Sequence, residues 1–475
     1  MKYFTFLTFT FFICLSHGLH AQLYYPSFDK INSVKEARAD IDFIKNTLEK
    51  GHPNLYRYIS KKAFDKKIDS LKRSIKQPVR KIALENAILT VLTTIGDGHL
   101  SLLINVDYAE ANAARAATLK TYPIEQFRYR ILQGKCFIIG TSEPNALIAP
   151  GAEVLSINGI PAAKMLADFY SVTSSDGYNQ SFKPNVLNQG FFPNRFTELY
   201  GLKESLSFKV KVNDSTRVVD VGAVLQRKSI TTPTGKQNPD FMLLPNAAAY
   251  LKVTGFPRNP FAGFANIPGQ SQSGLLAQLQ SQYLSIFQGL SSSKATSLIL
   301  DLRNNKGGDY LAAAQLFSYL IDRPSLFARV PDSILNNKLK TPDEHLKYGS
   351  ATSVIPQSLR FKGTLYILIN GGTFSAASLL AANLQGMGRA VIIGEESGGG
   401  RNYLTGGLMT ESVAPHSGLI LSFGNIPMET PILGKTEGRG VMPDHEVSYS
   451  ITEYLTGVDK ELELAKSEIK LRSKK

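Results

Sequence analysis

The stretch TLYILINGGTFSAASLLAANLQGMG (364–388) passes from an apolar β-type run, through a turn of small residues, into an apolar helical run. Such an elbow lifts Ser375 from the end of a strand to the start of a helix. Acyl-transfer enzymes expose a nucleophile in this way, with the free N–H groups and positive dipole of the helix amino terminus beside it. Small residues at a strand–helix junction also serve plain packing, so the stretch needs company. Outward from it, AAAYLKVTGF (247–256), TSLILDL (296–302) and AVIIGEE (390–396) read as further strands. Helical patterns near 274–289, 310–321 and 374–386 alternate with them. Strands alternating with helices predict an α/β core with parallel strand pairs.

At 475 residues the chain is long enough for two or three domains. Its first residues, MKYFTFLTFTFFICLSHGLHAQ, place Lys2 before an apolar run from Tyr3 to Leu15 and end in small and polar residues. This predicts a signal peptide over 1–21, cleaved between Ala21 and Gln22, and hence an exported, periplasmic or extracellular product. The apolar run is short for a bilayer span, and no other segment is long enough, so no transmembrane anchor is expected after cleavage. Loss of the leader removes Cys14 and leaves Cys136 as the only cysteine, which excludes an intramolecular disulfide. The net charge of +14 comes from basic residues spread over helix faces such as KKAFDKKIDSLKRSIKQPVRK (61–81) and interleaved with acids. Solvated helix surfaces account for it, and no nucleic-acid partner is expected.

Residues 22–105 predict a helical domain. Ser33 with Glu36 forms a capping box, Ala37, Ile41, Ile44 and Leu48 share a face, and Gly51 with Pro53 ends the helix. A second helix starts at a Ser60 cap with Phe64, Ile68, Leu71 and Ile75 on one face. A third, after Pro78, stops at Gly96-Asp97-Gly98-His99, ahead of a short strand at 100–104. Residues 120–222 read as a β-rich domain with a hairpin at Gln133-Gly134 and a turn at Asn158-Gly159. The polar, aromatic stretch 174–195 reads as a long loop or lid. Residues 240–455 hold the α/β core, and 456–475 a C-terminal tail.

Three more segments carry chemistry. LILDLRNNKGGDY (298–310) ends a buried strand in adjacent glycines, Gly307 and Gly308, where a bare backbone can aim N–H groups at an oxyanion or simply make a βα turn. GDGHL delivers His99 on a glycine-flanked loop. EGRGVMPD (437–444) sets Glu437 before a glycine-rich turn. No Cys/His or Asp/Glu ligand spacing points to a metal, and no cofactor is expected.

Taken in order, DGHL, APGAEVLSINGIPAAKML, DLRNNKGG, NGGTFSAAS, GRAVIIGEESGGG and EGRGVMPD resemble the tail-specific, or C-terminal-processing, serine peptidase family. The resemblance covers most of the chain beyond the leader. It implies a ClpP/crotonase-like α/β peptidase core with an N-terminal helical domain and an inserted PDZ-like β-rich domain. It implies peptide-bond hydrolysis on polypeptide substrates, with Ser375 as nucleophile and an oxyanion hole from the N–H groups of Ala376 and of Gly307 or Gly308. The PDZ-like segment would bind extended peptide, including free C-termini, or merely cover the site.

The better-known branch of the family pairs its serine with a lysine, and the alignment of GRAVIIGEESGGG puts Gly400 at that place. No lysine occurs between Ser375 and Lys435, and the guanidinium of Arg401 does not give up its proton near neutral pH. Unless a lysine comes from far along the chain, histidine is the natural supplier of the base. His52, His99, His345, His416 and His445 survive leader cleavage. The resemblance to the tricorn-like branch selects His99, with His416 second, and Glu437 as its acidic partner. That branch has a serine before the histidine, whereas this chain has Gly98, which leaves the second ring nitrogen to another acceptor such as Asp97. Two other readings stand beside the peptidase: a pseudo-peptidase binding peptide or an apolar ligand, and acyl-thioester chemistry, which an exported chain disfavours.

Overall fold

The computed structural model describes residues 24–106, 110, 120–141, 148–225, 240–256, 272–331, 353–432 and 438–473. The leader segment 1–21 and Glu437 lie outside the described residues.

A two-stranded pair, β1 (Ile31–Asn32) and β2 (Val79–Arg80), brackets α1 (Val34–Gly51) and α2 (Lys61–Ser74), and α3 (Lys81–Leu92) follows. The capping box closes as the spacing predicts: Ser33 Oγ accepts from Glu36 N–H at 3.3 Å, and Glu36 Oε2 accepts from Ser33 N–H at 2.8 Å. Ala37, Ile41, Ile44 and Leu48 of α1 meet Phe64 and Ile68 of α2 and Leu84 and Ile88 of α3 in one core. The chain then turns through Gly96, at φ +74°, into β3 (Ser101–Ile104).

The β-rich unit comprises β4 (Phe127–Leu132), β5 (Lys135–Thr141), β6 (Glu153–Ile157), β7 (Ile160–Pro161), α4 (Ala162–Ser171), α5 (Phe182–Val186), α6 (Phe192–Tyr200), β8 (Ser205–Val212) and β9 (Ser215–Gly222). Gln133-Gly134 and Asn158-Gly159 all take positive φ, the requirement of the tight turns that match strand twist. Its antiparallel sheet buries Phe127 and Phe208 against Phe169 and Phe192 of the helices. One expectation is corrected here. The stretch 174–195 is no free lid: it becomes helical at Phe182, and Asp176, Asn179 and Asn185 are buried.

The core sheet runs β10 (Phe241–Leu244), β11 (Ala248–Lys252), β12 (Ser297–Asp301), β13 (Thr364–Ile369), β14 (Ala390–Gly394) and β17 (His445–Glu446). β11 to β14 and β17 pair in parallel, and β10 joins antiparallel. The central strands β12, β13 and β14 are mostly apolar on both faces because helices cover both sides of the sheet. On one side lie α7 (Gln272–Ser292), α8 (Tyr310–Ser318) and α9 (Ala376–Gly386). Phe287, Leu316, Phe317, Leu379 and Leu380 pack there on Leu298, Leu300, Leu365 and Ile367. On the other, Leu462, Ala465 and Ile469 of α11 (Lys460–Arg472), which follows α10 (Ile451–Thr456), cover Tyr250, Ile299, Tyr366 and Leu368. A long hairpin, β15 (Tyr403–Val413) and β16 (Leu419–Glu429), accepts β3 as its third strand, with Leu419 opposite Ile104 and Ser422 opposite Ser101.

Arg303 fastens α11 to the core beside the glycine loop. Its guanidinium meets Asp301 at 2.7 Å and 3.0 Å, Asp459 at 2.7 Å and 2.8 Å, and Glu461 at 3.2 Å. Asp301, 2% exposed, also accepts from Tyr250 Oη at 2.7 Å. Removing one partner of a buried ion network strands the other charge, so Arg303→Ala should cost about 3–5 kcal/mol in chemical denaturation at neutral pH. A loss within experimental error would show that α11 is held by its apolar face alone.

Candidate active site

Ser375 stands between β13 and α9 with φ +54° and ψ −126°, a conformation that L-residues avoid. Its neighbours enforce it. Asn370 Oδ1 accepts from Gly372 N–H at 2.9 Å and from Asn304 N–H at 2.8 Å. Thr373 Oγ1 donates to Leu302 C=O at 2.8 Å, and Phe374 N–H donates to Asn305 C=O at 2.9 Å. The Ser375 hydroxyl does not cap its own helix and is left for other work. Ser378, one turn on, is buried with Oγ donating to Thr373 C=O at 2.8 Å.

The DLRNNKGG loop lies directly against this elbow. A β-carbon on Gly307 would sit 2.7 Å from Ser375 Cβ and 2.9 Å from Ala376 N, and one on Gly308 would sit 2.1 Å from Phe256 O. With φ +87° and +126°, both positions require glycine. Gly307 N–H is donated to Asn305 Oδ1 at 2.9 Å, which corrects the expectation that either glycine could face an oxyanion. Gly308 N–H makes no hydrogen bond among the described residues. Nor does Ala376 N–H, in the first turn of α9 where no intrahelical acceptor exists.

His99 reaches the same elbow from the helical unit. Its Nε2 lies 3.1 Å from Ser375 Oγ, and its ring packs on Phe374 with centroids 4.7 Å apart. Phe374 in turn stacks on Phe182 at 4.8 Å. Burial lowers the imidazole pKa below its ordinary value, against the pull of Asp97. The second ring nitrogen, Nδ1, is enclosed and has no hydrogen-bond partner among the described residues, with Asp97 Oδ1 4.0 Å away.

Asp97 itself is fully engaged. Oδ1 accepts from His99 N–H at 2.8 Å, and Oδ2 accepts from Thr405 Oγ1 at 2.5 Å and meets His52 Nε2 at 2.7 Å. Burial pushes its pKa up, but the bonds from His52 and Thr405 and the nearby histidines outweigh this and hold it below the usual carboxylate range. Behind it lies Asp176, 4% exposed, whose Oδ1 accepts from Gly98 N–H at 2.7 Å and whose Oδ2 accepts from Gly400 N–H at 2.9 Å. Burial, then repulsion from Asp97, pushes Asp176 up to about 7. Donor atoms of Asp97, His99 and Asp176 lie within 4.8 Å of one another, and every carboxylate oxygen among them already accepts a hydrogen bond from the protein.

Asp176 opens a strap across the site. Gly177 N–H donates to Gly96 C=O at 2.8 Å, Tyr178 N–H to Gly438 C=O at 2.6 Å, and Asn179 Nδ2 to Ser397 C=O at 2.6 Å. Glu396, buried, takes Arg439 in two bonds of 2.8 Å each and Gly440 N–H at 2.8 Å, fixing the turn that follows Glu437. Asp176, His52 and Thr405 were not singled out from sequence. The only local hint was the polar, glycine-containing SSDGYNQ run, which has the composition of any surface loop. His416, the second candidate base, is exposed at the tip of the β15–β16 hairpin, its backbone N–H donating to Asp40 at 3.1 Å. At Gly400 a β-carbon would lie 2.2 Å from Tyr403 O, so the place of the dyad lysine is closed to any side chain.

Residues 247–447 match the model of peptidase family S41. A carboxyl-terminal-processing protease of Synechocystis sp. is 27% identical over 318 residues, covering 67% of this chain and 59% of the relative. A carboxyl-terminal-processing protease of Picosynechococcus sp. is 26% identical over 171 residues, 36% of each chain. The chain thus spans less than two thirds of the length of these curated relatives. Among solved structures, mature CPAF complexed with lactacystin superposes with a TM-score of 0.63 at 15% identity, covering 92% of this chain and 98% of that one. This likeness is one of fold. The match to peptidase family S41 thus falls on residues 247–447, the segment that carries the elbow serine and the glycine loop.

Proposed function

We propose that this chain is a serine peptidase that hydrolyses peptide bonds through an acyl-enzyme on Ser375, with His99 as general base. The observation that carries the reading is the 3.1 Å approach of His99 Nε2 to Ser375 Oγ across 276 residues of sequence. Ser375 Oγ attacks the scissile carbonyl while its proton passes to Nε2. The developing oxyanion is taken by the N–H groups of Ala376 and Gly308, each such donor being worth roughly 3 kcal/mol in the transition state. The imidazolium then gives its proton to the leaving amine. Water repeats the sequence to release the acyl group. The negative charge of Asp97, close behind the ring, favours the imidazolium of each transition state. Glu437 is proposed as a further acidic partner on the strength of the family resemblance alone.

The substrates are polypeptides, engaged by their C-termini, as the names of the curated relatives suggest. The β-rich unit at 120–222 is proposed as a PDZ-like module that accepts an extended segment by strand addition; its separate core supports treating it as a unit. The leader at 1–21 supports export to the periplasm or beyond, and no helix among the described residues is long and apolar enough to cross a membrane.

A fluorophosphonate probe should label the intact chain, and Ser375→Ala should abolish labelling and lower peptidase turnover by about 10⁴-fold or more while leaving the fold unchanged. Undiminished turnover in Ser375→Ala would remove Ser375 from the mechanism. A chain that takes no label and cleaves no unstructured polypeptide would instead be a pseudo-peptidase.

His99→Ala should lose nearly as much activity as Ser375→Ala, and the double variant little more, because the pair acts as a unit. The base works as neutral imidazole, and burial lowers its pKa, so kcat/KM should fall as pH drops, with the midpoint below 6.5. An acid limb with no step below that value, or additive losses in the double variant, would point to another base.

A further inference from the structure

We propose that Asp176 is a positioning residue for His99: the strap brings its carboxylate behind the histidine loop, where it ties Gly98 N–H to Gly400 N–H and adds a second ionisable charge facing the imidazole. The inference rests on the peptidase reading of Ser375 and His99.

Three observations converge on it. First, His99 Nδ1 is enclosed without a hydrogen-bond partner among the described residues, and one carboxylate oxygen each of Asp97 and Asp176 lies within 4.8 Å of a nitrogen of the ring. Asp97 already serves His52, Thr405 and the His99 backbone, whereas each Asp176 oxygen holds a single N–H. Second, Gly98 is glycine because of Asp176. A β-carbon there would lie 2.9 Å from Asp176 Oδ1 and 2.9 Å from the Phe374 ring. The polar group that a serine would supply at position 98 is thus replaced by a carboxylate from a distant segment. Third, Asp176 ties together two loops that share no chain connection, the one bearing His99 and the one following β14, which itself touches the nucleophile. A β-carbon on Gly399 would lie 2.8 Å from Ser375 N.

Several titratable groups share the pocket around Asp176, and among them it is Asp97 that shifts its titration. Asp97 and His99 come from the histidine loop; His52, Arg57 and Tyr58 from the segment after α1; Tyr403 from β15. Burial and the Asp97 charge push Asp176 up to about 7, opposed by the two N–H donors. Below that pH it is neutral, and the histidine faces the single charge of Asp97. Above it, a second negative charge stands behind the ring and stabilises the imidazolium that forms as Ser375 loses its proton. Activity therefore rises a second time as pH passes through the Asp176 ionisation.

The test is the pH profile of the full chain and of Asp176→Asn, which keeps shape but cannot ionise. The intact chain should show two ascending steps in kcat/KM, one from His99 below 6.5 and one near 7. Asp176→Asn should keep the first and lose the second. At pH 8 its kcat should be lower by roughly tenfold or more, with KM unchanged, as for loss of a carboxylate that orients a catalytic histidine. A second readout does not need activity. In a Ser375→Ala background, the His99 ring resonances should shift through an extra step near pH 7 that Asp176→Asn removes. If Asp176→Asn does not fold, Asp176→Ser, which keeps an acceptor but does not titrate, carries the same expectation. Superposable pH profiles, or His99 resonances indifferent to Asp176, overturn the proposal. A chain without peptidase activity overturns the peptidase reading and leaves the resonance measurement to decide on Asp176.

Discussion

The position of β3 on the edge of β16 is the constraint on which the site depends. His99 and Ser375 are 276 residues apart, and nothing local could bring them to 3.1 Å. Only Leu100 separates His99 from β3, and Ser101 to Ile104 are registered opposite Ser422 to Leu419. β16 pairs with β15, whose Thr405 holds Asp97 and whose Gly406 passes the imidazole, a β-carbon there lying 3.7 Å from Nε2. The helical unit is thereby sewn to the hairpin by backbone hydrogen bonds and by a shared core that includes Leu102, Leu419, Leu421 and Phe423. A one-residue slip in this pairing would turn β3 over and carry His99 away from the elbow.

The elbow itself is strained, and the strain is held from every side. Ser375 keeps its unfavourable φ because Asn370, Thr373 and Phe374 are bonded to the loop that follows β12. Gly307 and Gly399 close on it from two directions at distances that admit no side chain. Backbone crowding of this kind fixes the N–H groups of Ala376 and Gly308, so the oxyanion-hole role proposed for them would need no reorientation. Arg303 and α11 stand behind the same loop, which ties the C-terminal helix to the geometry of the nucleophile.

Much of this was readable from the chain. Periodicity located the helices of the first unit and the parallel strands of the core, because a stripe of Ala37, Ile41, Ile44 and Leu48 or a run such as TLYILI has one comfortable way to be buried. Ser375 and the glycine pair were legible because tight turns and close approaches restrict residue type. The strap was not. Asp176 and Asn179 owe their burial to three loops that meet only in the folded chain, and a polar segment buried by tertiary contacts has the same composition as one in solvent. The choice between Gly307 and Gly308 was equally hidden, since it turns on where the Asn305 amide oxygen points.

The closure of position 400 to a lysine side chain and the presence of Asp176 are two sides of one arrangement. The backbone at Gly400 approaches Tyr403 O so closely that no side chain fits, and its N–H is turned to Asp176. A lysine there would bring a cation beside the nucleophile and need deep burial to lose its proton. In the proposed mechanism the histidine supplies a base that is neutral near physiological pH without such a penalty, but it must then be held in one orientation and its cation stabilised transiently. Too strong a negative field would trap the imidazolium and leave Ser375 without a base; too weak a one would raise the barrier to proton transfer. Asp97, ionised and already satisfied by His52 and Thr405, sets a constant field. Asp176, its carboxyl pushed up to about 7 by burial beside Asp97, would under the proposal make that field responsive to pH. Burial of two carboxylates behind one imidazole is costly in isolation, and here the five protein hydrogen bonds that they receive offset it.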